Sequence, residues 1–220
     1  GIIDYKTIAD VFKGKKIIWT LHDMNPVTGG WHYAGECKKY FDNCGFCPQL
    51  GSYVADDHSR YTWDIKNKSY AQLDINVVTP SKWLAKSARE SKLFGNKNIH
   101  VIPYGFPLDK FKPYDSTELK QKYNIDDNTK LVLFGAESAA NRRKGLAYLL
   151  KALENISVPE GKKIKLGIFG SFPENIELPI EQEVIKFGSI NNEVDIARIY
   201  SFADVFVIPS LEDNLPNTVI

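Results

Sequence analysis

Lys130-Leu131-Val132-Leu133-Phe134-Gly135-Ala136 leads, after a short polar stretch, to Arg142-Arg143-Lys144-Gly145 and then to Leu146-Ala147-Tyr148-Leu149-Leu150. The reading of the fold turns on this passage. Its apolar residues run continuously rather than alternating, as expected of a parallel strand covered on both faces. The run ends in small residues, and apolar residues then recur at helical spacing over 143–156. A strand that passes through a loop into a helix sets backbone N–H groups and a positive helix terminus at the C-terminal edge of a sheet, where phosphate binds. Three successive cations at a helix start oppose the helix dipole, and a bound anion would offset them. The other reading is a solvated basic turn. The spacing fits neither a P-loop nor a Gly-x-Gly-x-x-Gly fingerprint.

The same alternation recurs on either side. Apolar runs at 16–21, 75–79, 99–103, 164–169, 184–187 and 205–208 read as further strands, and 62–73, 81–94 and 193–202 as helices. Strands alternating with helices predict an α/β fold with parallel sheets. A stretch dense in turn formers, 103–113, interrupts the series, and a short helical piece follows near 119–123. The expectation is two α/β units, 1–108 and 109–220, each with three or four strands and neither complete.

Composition narrows the function classes. With 28 basic and 27 acidic residues the net charge is +1, which lacks the basic excess of a nucleic-acid binder. No apolar run approaches the roughly 20 residues needed to span a bilayer, and no signal peptide is evident. Three clustered cysteines do not make the disulfide framework of a secreted protein, which favours a cytoplasmic location. The chain begins at Gly1, its one methionine is Met24, and it stops in the run Asn217-Thr218-Val219-Ile220. Both ends read as cut, so an internal fragment is expected, inactive by itself.

Pro209-Ser210-Leu211-Glu212-Asp213-Asn214-Leu215-Pro216-Asn217 follows the 205–208 run, again at a strand end, where open α/β sheets bind ligands. Adjacent carboxylates and an amide supply hydrogen-bonding groups suited to a hydroxyl-rich ligand. A surface turn capping the next helix is the equal alternative. His22 ends the 16–21 run and reads either as a cleft residue or as a structural one bonded to Asp23 or a turn. Cys37, Cys44 and Cys47 form Cys-x6-Cys-x2-Cys. The pair Cys44 and Cys47 has zinc-ligand spacing, but a four-ligand set needs one more group, with His32 or His22 the nearby nitrogens. The alternative is reduced thiols in a compact loop.

Taken together, several segments resemble glycosyltransferase family 4. They are Thr20-Leu21-His22-Asp23, Thr28-Gly29-Gly30, Cys44-Gly45-Phe46-Cys47-Pro48-Gln49-Leu50, Pro80-Ser81-Lys82-Trp83-Leu84, Ile102-Pro103-Tyr104-Gly105, Arg143-Lys144-Gly145, and the run from Phe202 to Ser210 with Asp213-Asn214-Leu215-Pro216-Asn217. They occur in family order. The resemblance implies a GT-B fold of two Rossmann-like domains, the 1–108 part on the acceptor side and the 109–220 part binding the donor. It also implies that Lys144, with Arg143, contacts the donor diphosphate and neutralises charge growing on the leaving group. Family members place an arginine after the glycine of the preceding strand; here that position is Ala136, and Arg142 or Arg143 would substitute. Asp213 stands where the family has a glutamate and would hold sugar hydroxyls, with Asn214 and Leu215 presenting backbone groups. The second acidic residue of the family, which holds the ribose, falls at position 221, after Ile220. Gly188 and Ser189 would lie near the base, and His22 would face the transferred sugar or the acceptor.

The activity so implied is transfer of a sugar from a nucleotide-diphosphate sugar to a glycan or lipid-linked acceptor, with retention of configuration, in polysaccharide biosynthesis. It needs no cofactor and no metal for transfer. Same-face attack is implied, the leaving phosphate helping to deprotonate the acceptor. Peripheral association with the inner face of a membrane would accompany a lipid-linked acceptor. The alternative function is a non-catalytic nucleotide- or glycan-binding module of the same fold, with Ala136 and Asp213 as marks of decay. A third reading makes the cysteine loop a zinc-stabilised docking platform.

Overall fold

The structure, a computed structural model, describes residues 4–172 and 178–220, and among these described residues there are seven strands and six α-helices. The chain divides into two units, Gly1–Gly105 and Phe106–Ile220, with the division inside the turn-rich stretch at 103–113. Among the described residues no helix is long and apolar enough to cross a membrane.

In the first unit, β1 (Lys16–Thr20), β2 (Asp74–Thr79) and β3 (Asn98–Val101) form a parallel sheet in the order β1-β2-β3. A short α1 (Ile8–Val11) precedes β1; α2 (His58–Tyr70) and α3 (Lys82–Glu90) supply the crossovers. Both longer helices start on side-chain caps. The Asp57 carboxylate accepts from the Ser59 and Arg60 amides, and the Ser81 hydroxyl accepts from the Leu84 amide. Buried Leu21, Trp63, Tyr70, Val77, Leu84 and Phe94 make the core. Trp19 packs edge-on against Tyr70 and Phe94. Its neighbour Ile18 points the other way and is 78% exposed. The continuous run at 16–21 predicts cover on both faces; among the described residues β1 has it on one, because its core-side contacts all lie on the Trp19 face.

The second unit has a parallel sheet in the order β6-β5-β4-β7, from β4 (Thr129–Ser138), β5 (Lys163–Ser171), β6 (Glu183–Gly188) and β7 (Val205–Phe206). Its helices are α4 (Thr117–Lys122), α5 (Leu146–Glu154) and α6 (Glu193–Phe202). Here the continuous apolar strands have the predicted double cover. Phe134 and Ala136 pack with Leu146, Leu149, Leu150 and Leu153 of α5, while Leu131 packs with Phe202 and Leu133 with Ile199 of α6. Alternate side chains of one strand thus feed opposite layers, as the two-residue period of a strand requires. β4 extends past the apolar stretch Leu131–Phe134 and the small residues Gly135 and Ala136 to Ser138. Gly135 lies under the Phe169 ring, with a Cβ position 2.0 Å from it, so a side chain here would require that ring to move.

The predicted helix at 143–156 begins later. Arg142–Lys144 form a 3-10 turn, Gly145 takes a left-handed conformation (φ 78°), and α5 starts at Leu146. The cations therefore stand in a separate turn ahead of the helix rather than in its first turn. Contrary to the expectation, none of the three lies in the first turn of α5, so their opposition to its dipole is weaker than for cations inside the helix.

Candidate functional site

All strands of the second sheet are parallel, so the loops after β4, β6 and β7 emerge on one edge. The loop after β4 carries Arg143 and Lys144, and the loop after β7 carries Asp213, Asn214 and Leu215. Because β4 and β7 are neighbours, these loops meet.

Their contact is built from both backbone and side chains. Asn141 caps the 3-10 turn, its Oδ1 accepting from the Arg143 amide at 3.0 Å. The Leu211 amide donates to the Arg143 carbonyl at 2.9 Å. Arg143 Nη1 donates to the Glu212 carbonyl at 2.6 Å and lies 3.8 Å from Asp213 Oδ1. Lys144 Nζ reaches Asp213 Oδ2 at 2.6 Å, and Ser210 Oγ lies 3.3 Å from the same oxygen. Gly145 closes the arrangement: a Cβ there would fall 1.9 Å from the Pro209 carbonyl oxygen, and its φ of 78° is one that side chains disfavour. The Lys144 and Asp213 side chains retain only 22% and 16% of their exposure. Two cations and one carboxylate at the C-terminal edge of a parallel sheet form a partly shielded, net positive cradle. Such a cradle is suited to holding anionic oxygens beside hydroxyls.

Arg143 joins this cluster, whereas Arg142 is exposed on the turn and Ala136 is buried beneath it. Asn214 and Leu215 continue the loop, partly buried. Gly188 ends β6 with φ 70°, exposed on the same edge but two strands from β4, about 10 Å at ordinary strand spacing. A separate cavity of about 520 Å³ in this unit is lined by Phe106, Phe111, Tyr114, Tyr200, Phe206 and Val219 among others. It includes none of the cradle residues.

In the first unit, His22 follows β1 and is exposed. Its Nδ1 lies 2.7 Å from the Tyr104 hydroxyl, and the two rings stack at 5.7 Å. Burial, reinforced by the charge of Asp23, raises the Tyr104 phenol above its ordinary value and keeps it protonated. Asp23 itself accepts from the Asn25 amide at 2.7 Å and lies 3.9 Å from His32 Nε2. The loop beyond is fastened from below by Lys66, whose ammonium donates to the Asn25 and Thr28 carbonyls at 2.5 and 3.0 Å. Gly29 has no room for a side chain, because a Cβ would lie 2.4 Å from the Ser59 carbonyl oxygen. Tyr104 and Lys66 escape a reading of the sequence. Tyr104 stands in the Ile102-Pro103-Tyr104-Gly105 segment of the family resemblance, which gives it no role beside His22, and a lysine in a helix reads as solvated.

Cys37, Cys44 and Cys47 line one small cavity of about 30 Å³ with Thr28, Trp31 and Ser59 among its other walls. Burial pushes the Cys44 thiol up to about 11. Among the described residues no group of three or more His, Cys, Asp or Glu side chains is arranged to hold a metal.

Comparison with solved structures places this architecture. The chain is similar to sucrose-phosphate synthase from Thermosynechococcus elongatus (20% identity, covering 92% of this chain and 46% of that one, TM-score 0.61). It is also similar to Anabaena HepE in complex with UDP and glucose (17%, 94% and 49%, TM-score 0.56). A third likeness is to WaaG, a glycosyltransferase involved in lipopolysaccharide biosynthesis (16%, 78% and 49%, TM-score 0.54). The chain spans about half the length of each. These likenesses establish the fold: α/β with two parallel Rossmann-like sheets, as in GT-B glycosyltransferases. No curated protein sequence matches the chain. Residues 128–220, the part that contains the whole Arg143–Lys144–Asp213 cradle, match the family Glycosyl transferases group 1.

Proposed function

We propose that this chain is part of a retaining glycosyltransferase that moves a sugar from a nucleotide-diphosphate sugar to a glycan or lipid-linked acceptor. The second unit binds the donor and the first faces the acceptor. The observation that carries the reading is the pairing of Lys144 and Arg143 with Asp213 at one sheet edge, inside the segment matched by the glycosyltransferase family. The two cations would take the diphosphate oxygens and stabilise the charge that builds on them as the sugar departs. Asp213 would accept hydrogen bonds from sugar hydroxyls, and Asn214 and Leu215 would present backbone groups to the same ligand. Gly188, lacking a side chain at the next strand end but one, leaves room for the base. His22, oriented by Tyr104, would meet the transferred sugar or the acceptor hydroxyl. With Asp213 engaged by sugar hydroxyls, same-face attack assisted by the leaving phosphate is the mechanism we favour. Work of this kind belongs to polysaccharide assembly in the cytoplasm, at the inner face of the membrane where the acceptor is lipid-linked.

The test is a melting series of the whole protein with UDP, GDP, ADP and inorganic phosphate, UDP first because the similar HepE structure holds it. A ligand bound only by the native state raises the midpoint with the logarithm of its concentration over the dissociation constant. One diphosphate should raise the midpoint in the wild type and not in Lys144→Ala. A wild type that responds to none of them would end the reading.

A further inference from the structure

The cradle is not an open positive site. Lys144 Nζ already holds Asp213 Oδ2 at 2.6 Å, Arg143 Nη1 stands 3.8 Å from Oδ1, and Ser210 Oγ lies 3.3 Å from Oδ2. The carboxylate occupies the place, relative to the lysine, that a phosphate oxygen would take: one anionic oxygen at hydrogen-bond distance from the ammonium. Both side chains are largely shielded from water. Solvent therefore screens the pair poorly, and neither partner can be released cheaply into it.

Resting on the donor-binding reading above, we propose that Asp213 is a built-in rival of the donor diphosphate, one that makes the site favour the intact nucleotide sugar over the nucleotide diphosphate left after transfer. A bare diphosphate can take Lys144 only by leaving the Asp213 carboxylate, in a shielded place, without its nearest cation and with only Arg143 at 3.8 Å and Ser210 Oγ at 3.3 Å. An intact donor offers the ammonium its phosphate oxygens and, a few ångströms away, offers the carboxylate its sugar hydroxyls. Both halves of the broken pair then find new partners. Once the sugar has gone, the hydroxyls go with it, Asp213 draws Lys144 back, and the diphosphate loses its principal cation. The same contact thus discriminates at entry and promotes release at exit. Arg143 is fixed mainly to the Glu212 carbonyl, at 2.6 Å, so Lys144 is the movable cation of the two.

The experiment is calorimetric titration of the whole protein with inorganic pyrophosphate, UDP and UDP-glucose, with GDP and GDP-mannose run in parallel. In the wild type, the nucleotide sugar that binds should do so about tenfold or more tightly than its diphosphate, the scale of one shielded charge contact. Asp213→Asn removes the rival charge while keeping the shape. It should bind pyrophosphate and the diphosphate several-fold more tightly than the wild type, and the preference for the intact sugar should collapse. Asp213→Glu, which keeps the charge, should retain the preference; Asp213→Ser replaces the asparagine variant should that one not fold. Equal or weaker diphosphate binding by Asp213→Asn, with binding still abolished in Lys144→Ala, overturns the rivalry and leaves donor binding standing. Wild-type affinities equal for sugar and diphosphate overturn it as well, without any variant. Absence of diphosphate binding in wild type and variants alike removes both proposals together.

Discussion

Gly145→Ala is the substitution whose consequence follows most directly from the geometry. The residue adopts φ 78°, and its Cβ position is 1.9 Å from the Pro209 carbonyl oxygen and 2.6 Å from its carbon. Holding a non-glycine residue in the left-handed region costs about 1–2 kcal/mol. An ordinary carbon–oxygen contact needs about 3.3 Å, so the two loops must part by roughly 1.4 Å. The Leu211–Arg143 backbone hydrogen bond, 2.9 Å long, cannot survive that displacement, and its loss adds about 1 kcal/mol. Together these give about 2–3 kcal/mol, or roughly 10 °C in the melting of a unit this size. Binding should suffer as well, since the parted loops no longer hold Lys144 and Arg143 beside Asp213. The assay pairs a melting scan with pyrophosphate titration and adds Gly145→Asn, because asparagine tolerates the left-handed conformation but carries the same Cβ. If the loop contact is what matters, both variants lose binding. Recovery in Gly145→Asn would assign the effect to φ alone. A variant that melts low yet binds as the wild type would refute the claim that this apposition organises the cradle.

Two further outcomes concern the first unit. Burial lowers the Lys66 ammonium to about 8 from an ordinary 10.5, so between those values the folded chain has shed a proton that the unfolded chain retains. Stability should therefore rise with pH from about 8 to 9.5, at up to about 1.4 kcal/mol per unit, and Lys66→Met should lack that slope in denaturant titrations across the window. Stability that falls over the same range in the wild type relative to Lys66→Met would contradict the burial argument. Among the cysteines, iodoacetamide at pH 8 should label partly exposed Cys37 first, while buried Cys44, its thiol pushed up to about 11, should react only on unfolding. Mass spectrometry of timed quenches reads the order, and early labelling of Cys44 would show that the loop is open.

The alternation of elements was legible in the sequence because the strands of the second unit are short, largely apolar runs, Leu131 to Phe134 of β4 without a break and those of β5 and β6 with one lysine each. Exposed Ile18 was not, since an apolar residue in a short run carries no mark of which face lacks a covering layer. Lys144 and Asp213 were legible as separate strand-end features, each with a bland alternative. Their contact was not, because nothing in the residues between them states that β4 and β7 are neighbours. The late start of α5 was misread for a similar reason. Arg-Arg-Lys-Gly continues smoothly into an apolar helix on paper, and the left-handed Gly145, packed so close to the Pro209 carbonyl that no Cβ would fit, separates the turn from the helix. The roles of Tyr104 and Lys66 depend on partners 82 and 38–41 residues away and have no local signature.

The meeting of the two loops depends in turn on a residue outside the cradle. Asp204 stands just before β7, and its carboxylate accepts from the Leu131 amide at 2.8 Å and from Lys130 Nζ at 2.7 Å. The Asp204 amide returns a bond to the Leu131 carbonyl at 3.0 Å, and the Val207 amide bonds the Leu133 carbonyl at 2.8 Å. β7 has only two residues in the sheet, too few to fix its own register by pairing alone. A slip of one residue would turn every side chain of the strand to the opposite face and carry Pro209 away from Gly145. The carboxylate at the start of β7 therefore does for alignment what the carboxylate after it does for charge. That is a physical reason for Asp204 and Asp213 to belong to one segment, with a short strand between them: the first sets where the loop begins, and the second is useful only if it begins there.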